Sequence, residues 1–192
     1  MVRAISVVVA VLSLFICGCG SSNVVLRRGA EVRNDAATIA VFPTLGIASD
    51  EKMEKLCEKA ILANFQAIPG SEVARSLGVY DKVRPSWEKA MKSMMNDKTG
   101  VLDVAFTELL SLVGQKVGVD AVMLSLVVGP SSSYDSKTDI LFVLGLYDIR
   151  DKKYVWIATV KDKKGLVPVP LEAFVTKAFS GMKSEVSKIP VK

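Results

Sequence analysis

The chain of 192 residues contains no histidine. That absence excludes Ser-His-Asp and Cys-His catalysis and removes the commonest zinc ligand. Carboxylate-only chemistry stays formally open, but no paired acidic motif supports it. The reading therefore assigns no catalytic residue, no metal site and no cofactor. Long apolar runs are absent too. The longest, residues 4–16, is about thirteen residues, short of the roughly 20 that a membrane-spanning helix needs. There is no internal repeat and no low-complexity tract. Single-signed charge is also missing. The net charge is +5, with lysine and acidic residues interspersed, so the chain has no nucleic-acid footprint.

Only three cysteines are present, and two of them, Cys17 and Cys19, close the apolar run. Arg3 supplies the positive start of a secretory signal, and residues 4–16 supply its apolar core. Ile16-Cys17-Gly18-Cys19 then resembles the lipobox of bacterial lipoproteins. In that motif an aliphatic residue and two small ones precede a cysteine that receives lipid. The resemblance implies cleavage after residue 18 and acylation of Cys19, which anchors the chain to a membrane. One acyl chain binds only marginally, and several together hold firmly. Gly20 stands where lipoproteins retained in the inner membrane of many Gram-negative bacteria carry Asp. The resemblance thus implies an outer-membrane location, facing the periplasm. Cys57 remains as the one other cysteine, unable to form an internal disulfide, and it reads as a small buried hydrophobe.

The expected organisation is a signal peptide at residues 1–18, a lipidated tether at 19–36, and one α/β domain at 37–188. As a flexible coil, the tether after Cys19 reaches roughly 20–25 Å and at full stretch about 60 Å. In the domain, residues 38–42 are an apolar run ending at Pro43 and read as a buried strand. Residues 49–51 open a helix whose Met53, Leu56, Cys57, Ala60, Ile61 and Phe65 share one face. Residues 65–68 read as a short strand and 71–77 as a short helix.

Pro85 opens a further helix carrying Trp87, Met91, Met94 and Met95 along one side. That stripe suits either a core face or an adaptable binding surface. Residues 104–117 form another amphipathic helix. Strands follow at 121–128, 140–149 and 154–160, the last two joined by the charged turn Arg150-Asp151-Lys152-Lys153. Between the first two lies a polar loop, 129–138. Its Tyr134 is either an interface anchor or packed on its own domain. A final helix starts near Pro170. The order predicts a mixed sheet of about four to five strands, parallel early and an antiparallel meander late, with helices packed on it.

Several phrases in this order resemble a group of envelope lipoproteins that share the fold of the TolB N-terminal domain. They are Ile39-Ala40-Val41-Phe42-Pro43, Ile68-Pro69-Gly70-Ser71-Glu72-Val73, Gly118-Val119-Asp120-Ala121-Val122, and Leu146-Tyr147-Asp148 facing Val155-Trp156. The group includes the curli secretion lipoprotein CsgG, the penicillin-binding-protein activator LpoB and the Pel polysaccharide export lipoprotein PelC. The resemblance implies a non-enzymatic protein that binds other envelope proteins and in several cases forms a homo-oligomeric ring.

Physical limits narrow the role. A curli-type pore needs membrane hairpins of roughly 9–11 residues per strand, and the polar 129–138 loop is too short for a pair. The short tether favours an accessory or scaffold subunit beside an outer-membrane export or envelope-assembly machine. A regulator of peptidoglycan-synthesising enzymes is the alternative. A lipid or small-ligand module using the Met91–Met95 stripe is a third. Candidate partner contacts are Tyr134, Trp87, Met91, Met94 and Met95, and the lipidation site is Cys19.

Overall fold

The computed structural model describes residues 23–28, 38–49, 51–70, 85, 88–89, 104–129, 140–162 and 170–188. Strand β5 (Ala121–Val128) lies at the centre of the sheet. It is apolar at nearly every position because both of its faces are covered. It pairs in parallel with β2 (Ile39–Val41) and with β3 (Leu45–Ile47), and β2 pairs in parallel with the two-residue β4 (Ile68–Pro69). On its other side runs the antiparallel meander of β6 (Ile140–Asp148) and β7 (Lys153–Asp162). The sheet is mixed, as expected, and open. Among the described residues it has seven strands rather than four or five.

The two extra strands are β3 and β1 (Asn23–Arg28). β1 lies antiparallel to β7 along the sheet edge. Residues 23–28, read from sequence as part of a flexible tether, are therefore an ordered edge strand. The physical reason is an alternation only three residues long. Val24 and Leu26 are half-buried against the core, and Val25 between them is 55% exposed. The rest of the 19–36 segment lies outside the described residues, as does residues 71–77. Of the helix expected from Pro85, only Pro85, Glu88 and Lys89 are described, and they are helical.

Among the described residues, three whole helices cover the sheet. Helix α1 (Glu51–Asn64) carries Glu51 and Glu54 in its first turn, where they offset the positive helix end. Met53, Cys57, Ala60 and Ile61 make its buried stripe. Helix α3 (Leu171–Val186) buries Val175, Ala178, Phe179 and Met182 beside it. Together they cover one face, over Met123, Val127, Phe142, Leu144 and Trp156. Helix α2 (Val104–Val117) covers the opposite face, where Phe106, Leu110 and Val113 meet Val122, Leu124 and Val143. Gly118 ends α2 at φ 72°, and the N–H groups of Gly118 and Val119 both donate to the Gly114 carbonyl. A left-handed glycine of this kind satisfies the last carbonyls of a helix.

An irregularity in the β6–β7 ladder falls between Leu146 and Tyr147, which pair with Trp156 and Tyr154. Val155 is the extra residue of this β-bulge. Both Val155 and Trp156 consequently join the α1/α3 side of the core, although they are neighbours in sequence. Tyr154 turns to the α2 side and packs edge-on against Tyr147, with ring centroids 5.3 Å apart.

Candidate functional site

The residues singled out from sequence, Cys19, Trp87, Met91, Met94, Met95 and Tyr134, all lie outside the described residues. What the structure supplies is the frame from which two of these segments leave. Tyr134 belongs to the segment joining Gly129 to Ile140. The Gly129 N–H donates to the Ile47 carbonyl at 3.2 Å. A Cβ on Gly129 would meet Ile140 Cγ1 at 3.1 Å, so glycine allows the two chain ends to come close. Cys19 precedes Asn23, the first residue of β1, by four positions. Asn23 pairs with Lys161, Lys161 with Leu141, Leu141 with Val128, and Val128 with Ile47. These five residues form one row across one end of the sheet. The chain leading back to Cys19 and the segment holding Tyr134 leave from that same end. The signal for this arrangement is the β1–β7 pairing, which the sequence reading missed.

The opposite end of the sheet is knitted by charge. Asp148 Oδ1 accepts hydrogen bonds from the backbone N–H groups of Arg150 and Asp151, at 2.8 and 2.9 Å. These bonds close the β6–β7 turn, in which Lys152 takes φ 52°. The Arg150 guanidinium lies 3.7 Å from Asp120 and 4.0 Å from Asp148. It thereby ties this turn to the start of β5.

Reactive or ligating groups are few. Among the described residues, no three acidic, histidine or cysteine side chains cluster to hold a metal ion. Also among them, no helix is long and apolar enough to cross a membrane. Cys57 is fully buried, and burial pushes its thiol pKa far up, with the nearby Glu54 carboxylate adding to the effect. A thiol kept protonated in an apolar setting is a poor nucleophile. A shallow groove of about 420 Å³ is lined by Glu51, Lys52, Lys55, Leu56 and Lys59 on α1. Two of its three lysines are already matched. Lys55 meets Glu51 at 2.8 Å, and Lys59 donates to Glu172 of α3 at 2.8 Å. The hydrogen bond and charge of Glu172 raise the Lys59 pKa, and Lys59 lowers that of Glu172 by the same two effects. This groove is a solvated helix face with paired charges.

No protein-family model and no curated protein sequence matches the chain. Solved structures do. PelC from Paraburkholderia phytofirmans, crystallised as a dodecamer in two space groups, aligns with TM-scores of 0.50 for a point variant and 0.51. Identity is 12% and 11%. The alignments cover 85% and 83% of this chain, and 96% and 94% of PelC. The lipoprotein GNA1162 from Neisseria meningitidis aligns more loosely, with a TM-score of 0.39 at 18% identity over 79% of this chain and 97% of its own. The likeness to PelC runs through nearly the whole of that protein, and the chain has the fold of a PelC protomer.

Proposed function

We propose that this chain is a lipid-anchored, non-enzymatic accessory subunit of an outer-membrane export or envelope-assembly complex, working as a ring of its own copies on the periplasmic side. The observation that carries the reading is the fold shared with a protomer that builds a dodecamer, over 85% of this chain and 96% of that one. The chemistry of the sequence supports it. A chain without histidine, whose one cysteine beyond residue 19 is buried, is suited to binding rather than turnover. The Ile16-Cys17-Gly18-Cys19 run supplies the anchor, and an anchored ring subunit needs no reactive group.

The test uses the full chain expressed with its own signal and extracted in mild detergent. Light scattering coupled to size exclusion is expected to give a discrete multi-subunit mass, and a strict monomer at micromolar concentration overturns the ring. Metabolic labelling with palmitate is expected to mark the wild type and not Cys19→Ala. An unlabelled wild type overturns the anchor independently of the ring.

A further inference from the structure

We propose that the end of the sheet marked by Asn23 and Lys161 faces the lipid surface directly, and that β1 enforces this orientation. The inference rests on the lipid anchor at Cys19 proposed above. Only Gly20, Ser21 and Ser22 separate Cys19 from Asn23. Four Cα-to-Cα steps span at most about 13–14 Å. A free tether over residues 20–36 would have reached about 60 Å at full stretch. Pairing of β1 with β7 removes most of that freedom, because the strand is fixed to the domain over all six of its residues.

The short leash leaves few arrangements. From Lys153 to Lys161, β7 rises about 3.3 Å per residue, so the far end of the sheet lies roughly 26 Å beyond the near one. Two of the orientations that satisfy the leash are the sheet standing on its Asn23–Lys161 end and the sheet lying along the β1 edge. The second lays the edge strand against lipid. Among the described residues no further strand pairs with β1, so its outer N–H and C=O groups would face an apolar medium that cannot satisfy them. Standing on end leaves those groups in water and brings exposed Lys161 to the headgroups.

The far end then faces away from the membrane. Its surface is the turn held by Asp148 and Arg150, beside Asp120 at the start of β5. Partners below the membrane meet this charged turn, whereas the segment containing Tyr134 leaves from the lipid side.

The test uses the lipidated full chain in vesicles of phosphatidylethanolamine and phosphatidylglycerol. A fluorophore is placed on Lys161→Cys or on Lys152→Cys; buried Cys57 stays unlabelled in the native protein. Lipids bearing a headgroup nitroxide are expected to quench the label at position 161 several-fold more than the label at 152. Equal quenching, as an edge-down sheet requires, overturns the proposal, and so does stronger quenching at 152. Flotation separates this from the anchor. A chain that floats with equal quenching sinks the orientation alone, whereas one that does not float sinks the anchor and the orientation with it. A spacer of twelve Gly and Ser residues inserted after Ser22 should leave flotation intact and erase the difference between the two labels. Persistence of that difference shows that β1 and its short leash do not set the orientation.

Discussion

Thr44 Oγ1 and Ser125 Oγ lie 2.8 Å apart inside the core, joining the β2–β3 connection to the middle of β5 across 81 residues of sequence. Both residues are buried, at 2% and 0% exposure. One hydroxyl donates to the other where neither is exposed to solvent. Ser125→Ala should therefore cost about 1–3 kcal/mol, since it strands the Thr44 hydroxyl. Removing both groups in Thr44→Val/Ser125→Ala should cost less than the single change. Urea unfolding of the three variants at constant m-value measures this. A double variant less stable than Ser125→Ala would show that the pair is not a mutual one.

The two tyrosines at the bulge should respond in opposite ways. The Tyr154 hydroxyl is buried and has no hydrogen-bond partner among the described residues. Burial accordingly drives its pKa far upward, with Tyr147 contributing. The Tyr147 hydroxyl has a hydrogen bond with Thr107 on α2. Tyr154→Phe should be neutral or stabilising, by up to about 1 kcal/mol, whereas Tyr147→Phe should be destabilising by a similar amount. Thermal unfolding monitored by circular dichroism distinguishes them. A Tyr154→Phe variant with a clearly lowered midpoint would mean that the hydroxyl is satisfied.

The long periodic elements were legible in sequence and the short ones were not. The 104–117 helix, the 121–128 strand and the helix after Pro170 all fell where their apolar spacing put them, because each repeats its pattern over eight residues or more. Leu45, Gly46 and Ile47 give a three-residue strand just after Pro43, too short for any period to show. Val24, Val25 and Leu26 alternate in burial but are all apolar in sequence, and they sit between a polar stretch and two arginines, so composition pointed to a linker. The bulge hid another feature. Strict alternation puts Val155 and Trp156 on opposite faces, and the structure puts both on one. At the candidate site, sequence offered the cysteine for lipid but not the strand behind it. The pairing of Asn23 with Lys161 is a long-range register, and nothing local to either residue encodes it.

The Lys59–Glu172 pair joins α1 to α3 across 113 residues and is solvent-exposed. The Glu172 pKa is lowered in the folded chain, so its contribution to stability is present above the ordinary carboxylate pKa and lost as pH falls through the lowered value. The Lys59 pKa is raised, so its contribution is present below the ordinary lysine pKa and lost as pH rises through the raised value. The pair should thus act across the neutral range and fade at both extremes. Solvent screening keeps the effect small and salt-sensitive. NMR titration of the Glu172 carboxyl should show its pKa rising in Lys59→Gln, and by less at high salt. An unchanged titration would mean that the two side chains do not meet in solution.

The β1 strand is the element on which the short leash depends, and it is held by few groups. Val24 and Leu26 are half-buried against the side of the core that includes α3, and a Cβ on Gly181 of α3 would meet Val24 Cγ2 at 3.5 Å. A charge at residue 26 should detach the strand without unfolding the rest, since Leu26 is only half-buried at the margin of the core. Leu26→Asp forfeits roughly 1–2 kcal/mol of apolar burial and opposes a carboxylate to apolar neighbours. Hydrogen exchange should show amides 24–28 and their β7 partners losing protection while those of β5 keep it. Gly181→Ala provides the opposite change. Its new methyl makes an ordinary contact with Val24 and gains up to about 1 kcal/mol of helix propensity, so β1 protection should hold or rise. If Leu26→Asp lowers protection throughout the sheet, β1 is part of the cooperative core. If it changes nothing, the strand does not pair with β7 in solution, and the chain from Cys19 to the domain is a free tether after all.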